Sequence, residues 1–121
     1  MPYITTEEVK KIRTLLKTEL KEFKISVTQR HHSTIVITLV EGPLDFGITY
    51  EQVNPYYLEK NWAQKPECLK VLLQIKNNVE REKPIEGHDD SDYGFVPNYY
   101  MDINIGTHEK PYVIKSIGDI K

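Results

Sequence analysis

The fold of this 121-residue chain is signalled most clearly by residues 92–115, which read DYGFVPNYYMDINIGTHEKPYVIK. Apolar and polar side chains alternate over residues 99–105, and this pattern predicts a strand that is buried on one face. Gly106 then allows the chain to turn, and Pro111 stands at the start of a short last strand of residues 111–115. These residues are therefore predicted to form a C-terminal β-hairpin crowded with tyrosine.

The N-terminal part of the chain carries a strong helix signal. Thr5 is followed three residues later by Glu8, the spacing of a capping box in which each side chain satisfies a free backbone N–H group. The apolar residues that follow recur at helical spacing and predict one buried face: Val9, Ile12, Leu16, Leu20 and Phe23. A basic stripe runs beside this face and consists of Lys10, Arg13, Lys17, Lys21 and Lys24. The basic stripe is interpreted either as a solvated edge of the helix or as a surface that contacts phosphate groups.

Two β-rich segments follow, in which side chains alternate over residues 25–28 and again over residues 35–40. They predict a hairpin, and because the second strand is apolar on both faces near its middle, it is expected inside the sheet. The connecting residues 29–33 lack glycine, so a loop of four or five residues is expected rather than a tight primed turn. Gly42 and Pro43 predict the end of the second strand.

The middle of the chain contains a weak and a strong helix signal. Asn54 and Pro55 have the residue types of a helix N-cap and first helical position, so they predict a short helix in the otherwise unreadable residues 44–65. A longer helix is predicted from Pro66 to about Arg81. Its apolar stripe consists of Cys68, Leu72, Ile75 and Val79. Residues 83–91 combine proline, glycine and acidic side chains, which predicts a mobile acidic loop.

This order of elements predicts a fold of the α+β class. A helix, a hairpin, one or two further helices and a second hairpin would form two layers, with an antiparallel sheet packed on one side by helices. A length of 121 residues is enough for one hydrophobic core. Residues 1–121 are therefore predicted to be a single domain.

Composition and charge restrict the functional classes. Sixteen basic and eighteen acidic residues give a net charge of −2, which argues against a general duplex-DNA binder and against an acidic mimic of DNA. Cys68 is the only cysteine, so no intrachain disulfide can form. The chain has no apolar run of roughly 20 residues and no secretory signal at its start. A cytoplasmic protein without membrane contact is therefore expected.

No pattern for catalysis, cofactor binding or metal binding is recognisable, since the phosphate-binding, zinc-protease and nucleophile-elbow motifs are all missing. His31 and His32 are adjacent, so on a strand they would point to opposite faces and would not hold one metal ion together. The acidic loop lacks the ligand spacing of a calcium site. No cofactor, no metal and no enzymatic activity are therefore expected. A metal-dependent nuclease that uses Asp102, Glu109 and Lys110 is kept as the weakest alternative.

Aromatic and basic residues are the remaining candidates for function. Tyrosine, tryptophan and arginine are enriched in protein interfaces, and aromatic rings also stack on unpaired bases. The candidate partner-binding residues come from the basic stripe, from the loop of the first hairpin and from the weak helix. They are Lys10, Arg13, Lys17, Lys21, Arg30, His31, His32, Tyr56, Tyr57, Lys60 and Trp62. The alternative interpretation is that about half of the aromatic rings simply complete the core.

Several short segments spread over most of the chain match the pattern of a known family. They are Tyr3-Ile4-Thr5, Lys24-Ile25-Ser26-Val27, Ser33-Thr34-Ile35 with Ile37, Gly42-Pro43, Asp92-Tyr93, Tyr99-Tyr100, Ile103, Ile105-Gly106 and Lys110-Pro111-Tyr112. On these residues the chain resembles a large polyvalent protein-associated domain of phages, plasmids and conjugative elements. The resemblance implies a mobile-element protein that acts inside a bacterium, and it carries over no catalytic residue.

The resemblance and the missing catalytic pattern together lead to a preferred hypothesis. The chain is expected to bind a host defence protein or ribonucleoprotein complex, such as a CRISPR effector, and to inhibit it by stoichiometric binding in the cytoplasm of the bacterial host. The alternative is an accessory module that contacts RNA or single-stranded DNA. In that case the basic stripe would contact backbone phosphates and exposed tyrosines would stack on bases.

Overall fold

The structure, a computed structural model, describes residues 3–48, 50–55, 57–85, 87–90 and 94–114. The elements within these residues are, in chain order, α1 (Thr6–Glu19), β1 (Lys24–Arg30), β2 (Thr34–Gly42), β3 (Glu51–Val53), α2 (Leu58–Trp62), α3 (Pro66–Glu82), β4 (Gly87–Asp90), β5 (Gly94–Pro97), β6 (Tyr100–Ile105) and β7 (Val113–Ile114). This mixture of helices and sheet confirms the predicted α+β class. None of the helices in the described part of the chain is both long and apolar enough to cross a membrane.

Five strands form one mixed sheet with the order β1-β2-β6-β3, to which β7 is added beside β2. β1 and β2 are antiparallel, as predicted, and β2 lies inside the sheet as its apolar faces indicated. β2 and β6 are parallel, with Thr34 opposite Tyr100 and Leu39 opposite Ile105. The prediction of an antiparallel sheet is therefore wrong. Parallel neighbours need a long crossover connection, and here the chain between β2 and β6, which includes α2 and α3, supplies it.

The predicted C-terminal hairpin is also wrong, although both of its strands exist. β6 pairs with β2 as far as Leu39, and β7 pairs with Glu41 and Gly42 of β2, both in the parallel direction. The two strands thus follow one another along the same edge of β2. Gly106, with a φ angle of 65°, donates its N–H to the Leu39 carbonyl at 2.8 Å and ends the β6 ladder before the chain loops out.

The register of the sheet aligns its buried side chains in rows. Val27, Ile37 and Ile103 are direct neighbours on β1, β2 and β6, and each is at most 3% exposed. The other buried apolar residues of these strands lie on the same face and join the helices in one core. Burial of an aliphatic side chain of this size stabilises a fold by about 1.5–3 kcal/mol, so this face is the main source of stability.

The two long helices bury the apolar stripes that their sequences predict. In α1 the buried residues are Val9, Ile12 and Leu16, and in α3 they include Cys68, Leu72, Ile75 and Val79. Burial raises the pKa of the Cys68 thiol, in keeping with a core side chain. α3 has the predicted extent to within one residue, whereas α1 ends at Glu19, before the predicted stripe is complete.

Aromatic rings anchor the segment of residues 44–65, where the sequence signals are weakest. Phe46 is fully buried and packs edge-on against Tyr112, at a ring-centroid distance of 5.1 Å, and against Trp62, at 6.1 Å. The Tyr112 hydroxyl donates to the Leu44 carbonyl at 2.8 Å. Burial raises the pKa of Tyr112 to about 12. Three distant parts of the chain therefore meet at Phe46.

The same segment contains two departures from prediction. α2 begins at Leu58 with Tyr57 as its N-cap, so the predicted helix start at Asn54 and Pro55 is wrong. β3 was not predicted, because it is only three residues long and its glutamate is a weak strand former. Antiparallel pairing with β6 holds it in place.

The predicted mobile acidic loop of residues 83–91 contains a strand. Its residues Gly87–Asp90 form β4, which pairs with β5 in a separate two-stranded sheet. Glycine and aspartate are rare in strands, so the sequence did not predict this pairing. Lys83 at the start of the segment is also fixed, because its ammonium donates to Glu8 Oε2 at 2.7 Å and lies 5.4 Å from the centre of the Tyr99 ring.

The contact between Lys83 and Glu8 links the end of α3 to the start of α1. Glu8 also completes the predicted capping box, since its Oε1 accepts from the Thr5 N–H at 2.9 Å while Thr5 Oγ1 accepts from the Glu8 N–H at 3.1 Å. Burial is the largest single influence on the pKa of Glu8 and raises it, but the hydrogen bonds from Lys83 and Thr5 together outweigh burial and lower the pKa. Glu8 therefore stabilises the fold in its ionised form.

We expect acid to remove this contribution. A lowered folded-state pKa means that the stabilisation is complete above the ordinary value of 4.5 and is lost as the pH falls through the lowered value. Glu8→Gln should therefore lower the free energy of unfolding at neutral pH by about 0.5–1 kcal/mol and make its decline between about pH 5 and about pH 3 shallower. Urea unfolding at each pH measures both effects. Glu7→Gln is the matched control in the same helical turn, and pH profiles that run parallel for Glu8→Gln and wild type would contradict the prediction.

Candidate interaction site

The turn between β1 and β2 has an uncommon backbone. The Ser33 N–H donates to the Arg30 carbonyl at 3.3 Å and closes a four-residue turn. Its central residues His31 and His32 have φ angles of 55° and 56°, and no other described non-glycine residue has a positive φ. Positive φ at both central positions is the signature of a type I′ turn, which usually contains asparagine and glycine. Arg30 lies opposite Thr34, so three residues connect the two strands, and the expected four- or five-residue loop is wrong.

This backbone conformation costs free energy. A residue with a Cβ atom is strained in the left-handed region by about 1 kcal/mol or more, and glycine would remove the strain. Both histidine side chains are exposed, so burial in the core does not explain why these residues are present. Local strain of this kind is typical of functional sites, where the side chain matters more than the cheapest turn.

Three segments of the chain meet at this turn. The Ile4 N–H donates to the His32 carbonyl at 2.8 Å, and the Tyr100 N–H donates to the Ser33 carbonyl, also at 2.8 Å. The Gln29 amide nitrogen donates to the Ile4 carbonyl at 2.6 Å and lies 3.2 Å from His32 Nδ1. Hydrogen bonds therefore hold the N-terminal residues, the turn and the start of β6 in one rigid arrangement.

Two exposed tyrosines that the sequence interpretation missed lie in this region. Tyr3 donates its N–H to the Asn98 carbonyl at 2.7 Å, and Tyr100 is the first residue of β6. Their exposed fractions are 56% and 42%. For Tyr100 a signal was present, because the alternation of residues 99–105 places it on the polar face of the strand. For Tyr3 the sequence offers no comparable signal.

Arg30 lies on the face of the sheet opposite the buried one. Arg30, Thr34 and Tyr100 form one row across β1, β2 and β6. The Arg30 guanidinium forms an ion pair with Asp102, which is two residues further along β6, so the pair reaches across β2. Thr34, in the middle of this row, is only 7% exposed, in keeping with the ion pair that reaches across it. The positive charge of Arg30 is therefore largely neutralised.

We refer to Tyr3, Arg30, His31, His32 and Tyr100 as the turn cluster. Three of its members, Arg30 and the two histidines, were predicted as partner contacts. The cluster combines two tyrosine rings, two imidazoles and a guanidinium at the ends of hydrogen-bonded strands. Such side chains bury well at protein interfaces because a largely rigid, partly apolar group also carries a hydrogen-bonding tip.

The predicted basic stripe is not continuous. α1 ends at Glu19, so Lys21 lies beyond the helix and Lys24 lies in β1. Lys10 and Lys17 are exposed on the helix. The sequence pattern failed here because it assumed that the helix extends for another turn. The structure thus leaves a shorter basic surface than the periodicity indicated.

Arg13, predicted as a partner contact, is used inside the fold. It is half-buried, and its Nε and Nη2 atoms donate to the Val27 carbonyl at 3.2 and 2.7 Å. β1 is an edge strand of the sheet, so Arg13 fastens α1 to that edge. The guanidinium is therefore committed to a structural contact rather than open to a phosphate group.

We expect Arg13→Ala to lower the free energy of unfolding by about 1–2 kcal/mol, because two hydrogen bonds from a charged donor are lost. Lys17→Ala on the same helix is the matched control and should change it by less than about 0.5 kcal/mol, since the side chain is exposed. Urea denaturation measures both variants. Equal stabilities of the two variants would show that Arg13 does not clamp the edge strand.

The residues near α2 that were predicted to contact a partner lie in different environments. Trp62 is 6% exposed and packs against Phe46, which corrects its expected role as a partner contact: it is a core side chain. Tyr57 and Lys60 are exposed. Tyr56 lies outside the described residues. Burial of a single tryptophan in a short helix depends on the residues that pack against it. The sequence pattern does not identify those residues.

The predicted contacts do not form one surface. α1 packs beside β1, while α2 lies across a cleft from β3, and these two strands are the opposite edges of the sheet. Adjacent strands are about 4.8 Å apart, so the two edges are separated by about 14 Å. The lysines of α1 and the residues of α2 therefore lie at opposite edges of the sheet.

The described residues contain no group of three or more histidine, cysteine, aspartate or glutamate side chains placed to hold a metal ion. Asp102, which the weakest alternative assigned to a metal site, is paired with Arg30.

Comparisons of the chain with protein-family models, with curated proteins and with solved structures found no match. The fold and the candidate site define the class of the protein by physical features alone. It is an α+β protein with a mixed sheet, a polar sheet face and an exposed aromatic cluster at a strained turn.

Proposed function

We propose that this chain is a non-enzymatic protein of a mobile genetic element that binds a host defence protein or ribonucleoprotein complex, such as a CRISPR effector, and inhibits it by stoichiometric binding. In this proposal it acts inside the bacterial cell, and the turn cluster is the surface that contacts the defence complex. The mobile-element setting comes from the resemblance of the sequence to large polyvalent protein-associated domains, and that resemblance is part of this proposal. The observation that carries the binding role is the strained His31-His32 turn, which is hydrogen-bonded to the two segments that carry the exposed tyrosines Tyr3 and Tyr100.

A preorganised surface is what stoichiometric inhibition needs. Binding loses free energy when side chains and loops have to be ordered, so a surface that is already fixed binds more tightly. Backbone hydrogen bonds of 2.7–2.8 Å attach Tyr3, Ile4 and Tyr100 to neighbouring segments at the turn. The strain at His31 and His32 is a cost that such a surface tolerates in return for a backbone that presents the two side chains at a fixed place.

The charge distribution favours a protein partner over a nucleic acid. Asp102 neutralises Arg30, Arg13 is committed to the Val27 carbonyl, and the basic stripe is interrupted after α1. A nucleic-acid interface is usually strongly basic, because each phosphate contact releases a counterion. The turn cluster is aromatic and close to neutral, as the centre of a protein interface tends to be.

The proposal is tested by expressing the chain in bacteria that carry an active CRISPR system and challenging them with a phage which that system targets. We expect the wild-type chain to restore plaque formation. Tyr100→Ala should reduce this restoration by about tenfold or more, since truncation of a central interface aromatic costs about 2 kcal/mol of binding. A pull-down with the tagged chain from the same cells should recover a defence component.

Tyr50→Ala is the matched control for this experiment. Tyr50 is also about half exposed, but it lies beside β3 near the other end of β6 and contacts the His108 ring at 6.3 Å. Its truncation should leave the restoration of plaques unchanged. A chain that restores no plaques against a panel of defence systems, and recovers no defence component from those hosts, would rule out the proposal.

A second candidate function is a single-stranded nucleic-acid-binding module. It is favoured by one observation, which is that Tyr100 lies exposed on the polar sheet face in the same row as Arg30. Sheet-based modules stack bases on aromatic rings in such positions. Binding of labelled single-stranded RNA or DNA should then weaken steeply as salt rises. No binding at low salt would eliminate this candidate.

A further inference from the structure

A polar cleft of about 590 Å³ lies between β3 and the part of the chain that runs from α2 to Lys65. Its volume is within the range of sites that bind ligands or peptide segments. Residues 51–54 form one wall, and the facing wall includes Lys60, Asn61, Gln64 and Lys65. No member of the turn cluster lines this cleft, although Tyr100 lines a neighbouring pocket together with residues 52–54.

The cleft follows the edge of a strand. Successive side chains of a strand point to opposite faces of the sheet, so a cleft lined by the consecutive residues 51–54 runs along the edge of β3 rather than over one face. β6 occupies one edge of β3, and no other strand of the described sheet pairs with it. The outer edge of β3 therefore presents backbone N–H and C=O groups to the cleft.

The facing wall has the chemistry to receive an extended polypeptide. Asn61 and Gln64 carry amides that both donate and accept hydrogen bonds, as a peptide backbone does. Lys65 is fixed, because its ammonium donates to the Phe46 carbonyl at 2.7 Å and lies 5.6 Å from the centre of the Trp62 ring. The wall is therefore rigid where it meets the core.

The charge of the cleft indicates the chemistry of its occupant. The lining contains two lysines and one acidic residue, Glu51, so its net charge is positive. Lys60 is exposed, and none of the ion pairs formed among the described residues involves it. A carboxylate on the occupant would pair with Lys60 and complement the net charge.

We propose that this cleft binds an extended peptide segment of a partner protein, which adds as a new strand to the outer edge of β3 and places an acidic side chain at Lys60. In this mode of recognition the backbone hydrogen bonds supply affinity and the side-chain contacts supply specificity. The edge of β3, the amides of the facing wall and Lys60 each contribute one part of the site.

Selection from a random peptide library displayed on phage, with the purified full chain as target, tests this proposal. We expect enriched peptides that carry aspartate or glutamate and that lack proline at their centre, because proline cannot donate to a strand ladder. A synthetic enriched peptide should shift the NMR amide resonances of residues 51–54 and 60–65. It should also slow hydrogen exchange in β3.

Lys60→Glu should weaken binding of the acidic peptide by about tenfold or more, whereas Lys17→Glu, an exposed lysine on α1, should leave it unchanged. Thermal unfolding of both variants shows whether they remain folded. Failure to enrich any peptide, resonance shifts confined to other residues, or unchanged binding by folded Lys60→Glu would overturn the proposal. Peptide binding should survive the double variant His31→Asn with His32→Gly, which alters the turn and no residue of the cleft, so this result is independent of the proposed inhibition through the turn cluster.

Discussion

Replacement of Phe46 by alanine is expected to lower the free energy of unfolding by about 3–5 kcal/mol. Phe46 is fully buried and is the ring that both Tyr112 and Trp62 contact edge-on, at 5.1 and 6.1 Å. Its removal leaves a cavity between the loop after β2, α2 and the chain before β7, and those elements cannot all move inward to fill it. Because a domain of this size has a total stability of only about 5–15 kcal/mol, the variant should be severely weakened.

Urea unfolding of Phe46→Ala, Phe46→Leu and Tyr57→Ala measures this effect. Phe46→Leu keeps most of the buried volume and should lose about 1–2 kcal/mol. Tyr57→Ala removes a ring that is 57% exposed and should change stability by less than about 0.5 kcal/mol. If Phe46→Ala were no less stable than Tyr57→Ala, the contact among the three rings would not be what holds residues 44–65 to the core.

The double variant His31→Asn with His32→Gly is expected to gain stability and to lose function. Asparagine and glycine are the residues that a type I′ turn prefers, so the substitution removes most of the strain at φ angles of 55° and 56°. We expect the free energy of unfolding to rise by about 1 kcal/mol. The same change deletes two imidazoles from the turn cluster, so restoration of plaque formation should fall by about tenfold or more.

Thermal or urea unfolding measures the first effect, and the phage challenge described above measures the second. His108→Asn is the control, because His108 is an exposed imidazole in the loop after β6, near Tyr50 rather than at the turn. It should alter neither property appreciably. A double variant that is less stable than wild type, or one that inhibits as well as wild type, would show that the histidines are not retained for binding.

Local sequence patterns predicted the elements whose stabilising contacts are themselves local. The capping box of Thr5 and Glu8 forms as expected because its two hydrogen bonds join residues three positions apart. α3 and the β1–β2 hairpin follow from the period of their apolar residues. The prediction for the turn between β1 and β2 was wrong, because strained histidines stand where this type of turn usually has asparagine and glycine.

Local sequence patterns could not predict which distant strands pair. Ile103 carries the same alternation whether its strand is parallel or antiparallel to its neighbour, and only the path of the chain through α2 and α3 selects the parallel pairing with Ile37. Local patterns could not predict β3 either, because this strand is stabilised by its pairing with β6. β7 lies beside β2 for a similar reason, although Gly106 correctly marked the end of β6.

The candidate site was predicted in part. Arg30, His31 and His32 were identified because a polar connection in a hairpin is exposed. Tyr3 joins them only through backbone hydrogen bonds that link the N-terminal residues to the turn and to the chain before β6. Arg13 and Trp62 were assigned to a binding surface because their residue types suit one. Their acceptor and packing partners lie on other elements, so only the fold could show that they are structural.

The sequence by itself determined the α+β class, the long helices, the first hairpin and the residue types available for binding, because periodicity and capping act over a few residues. The tertiary structure decided which strands pair, which aromatic rings are buried and which exposed groups meet at the His31-His32 turn and at the edge of β3. The physical reason is that burial and strand pairing depend on contacts between residues far apart in the chain.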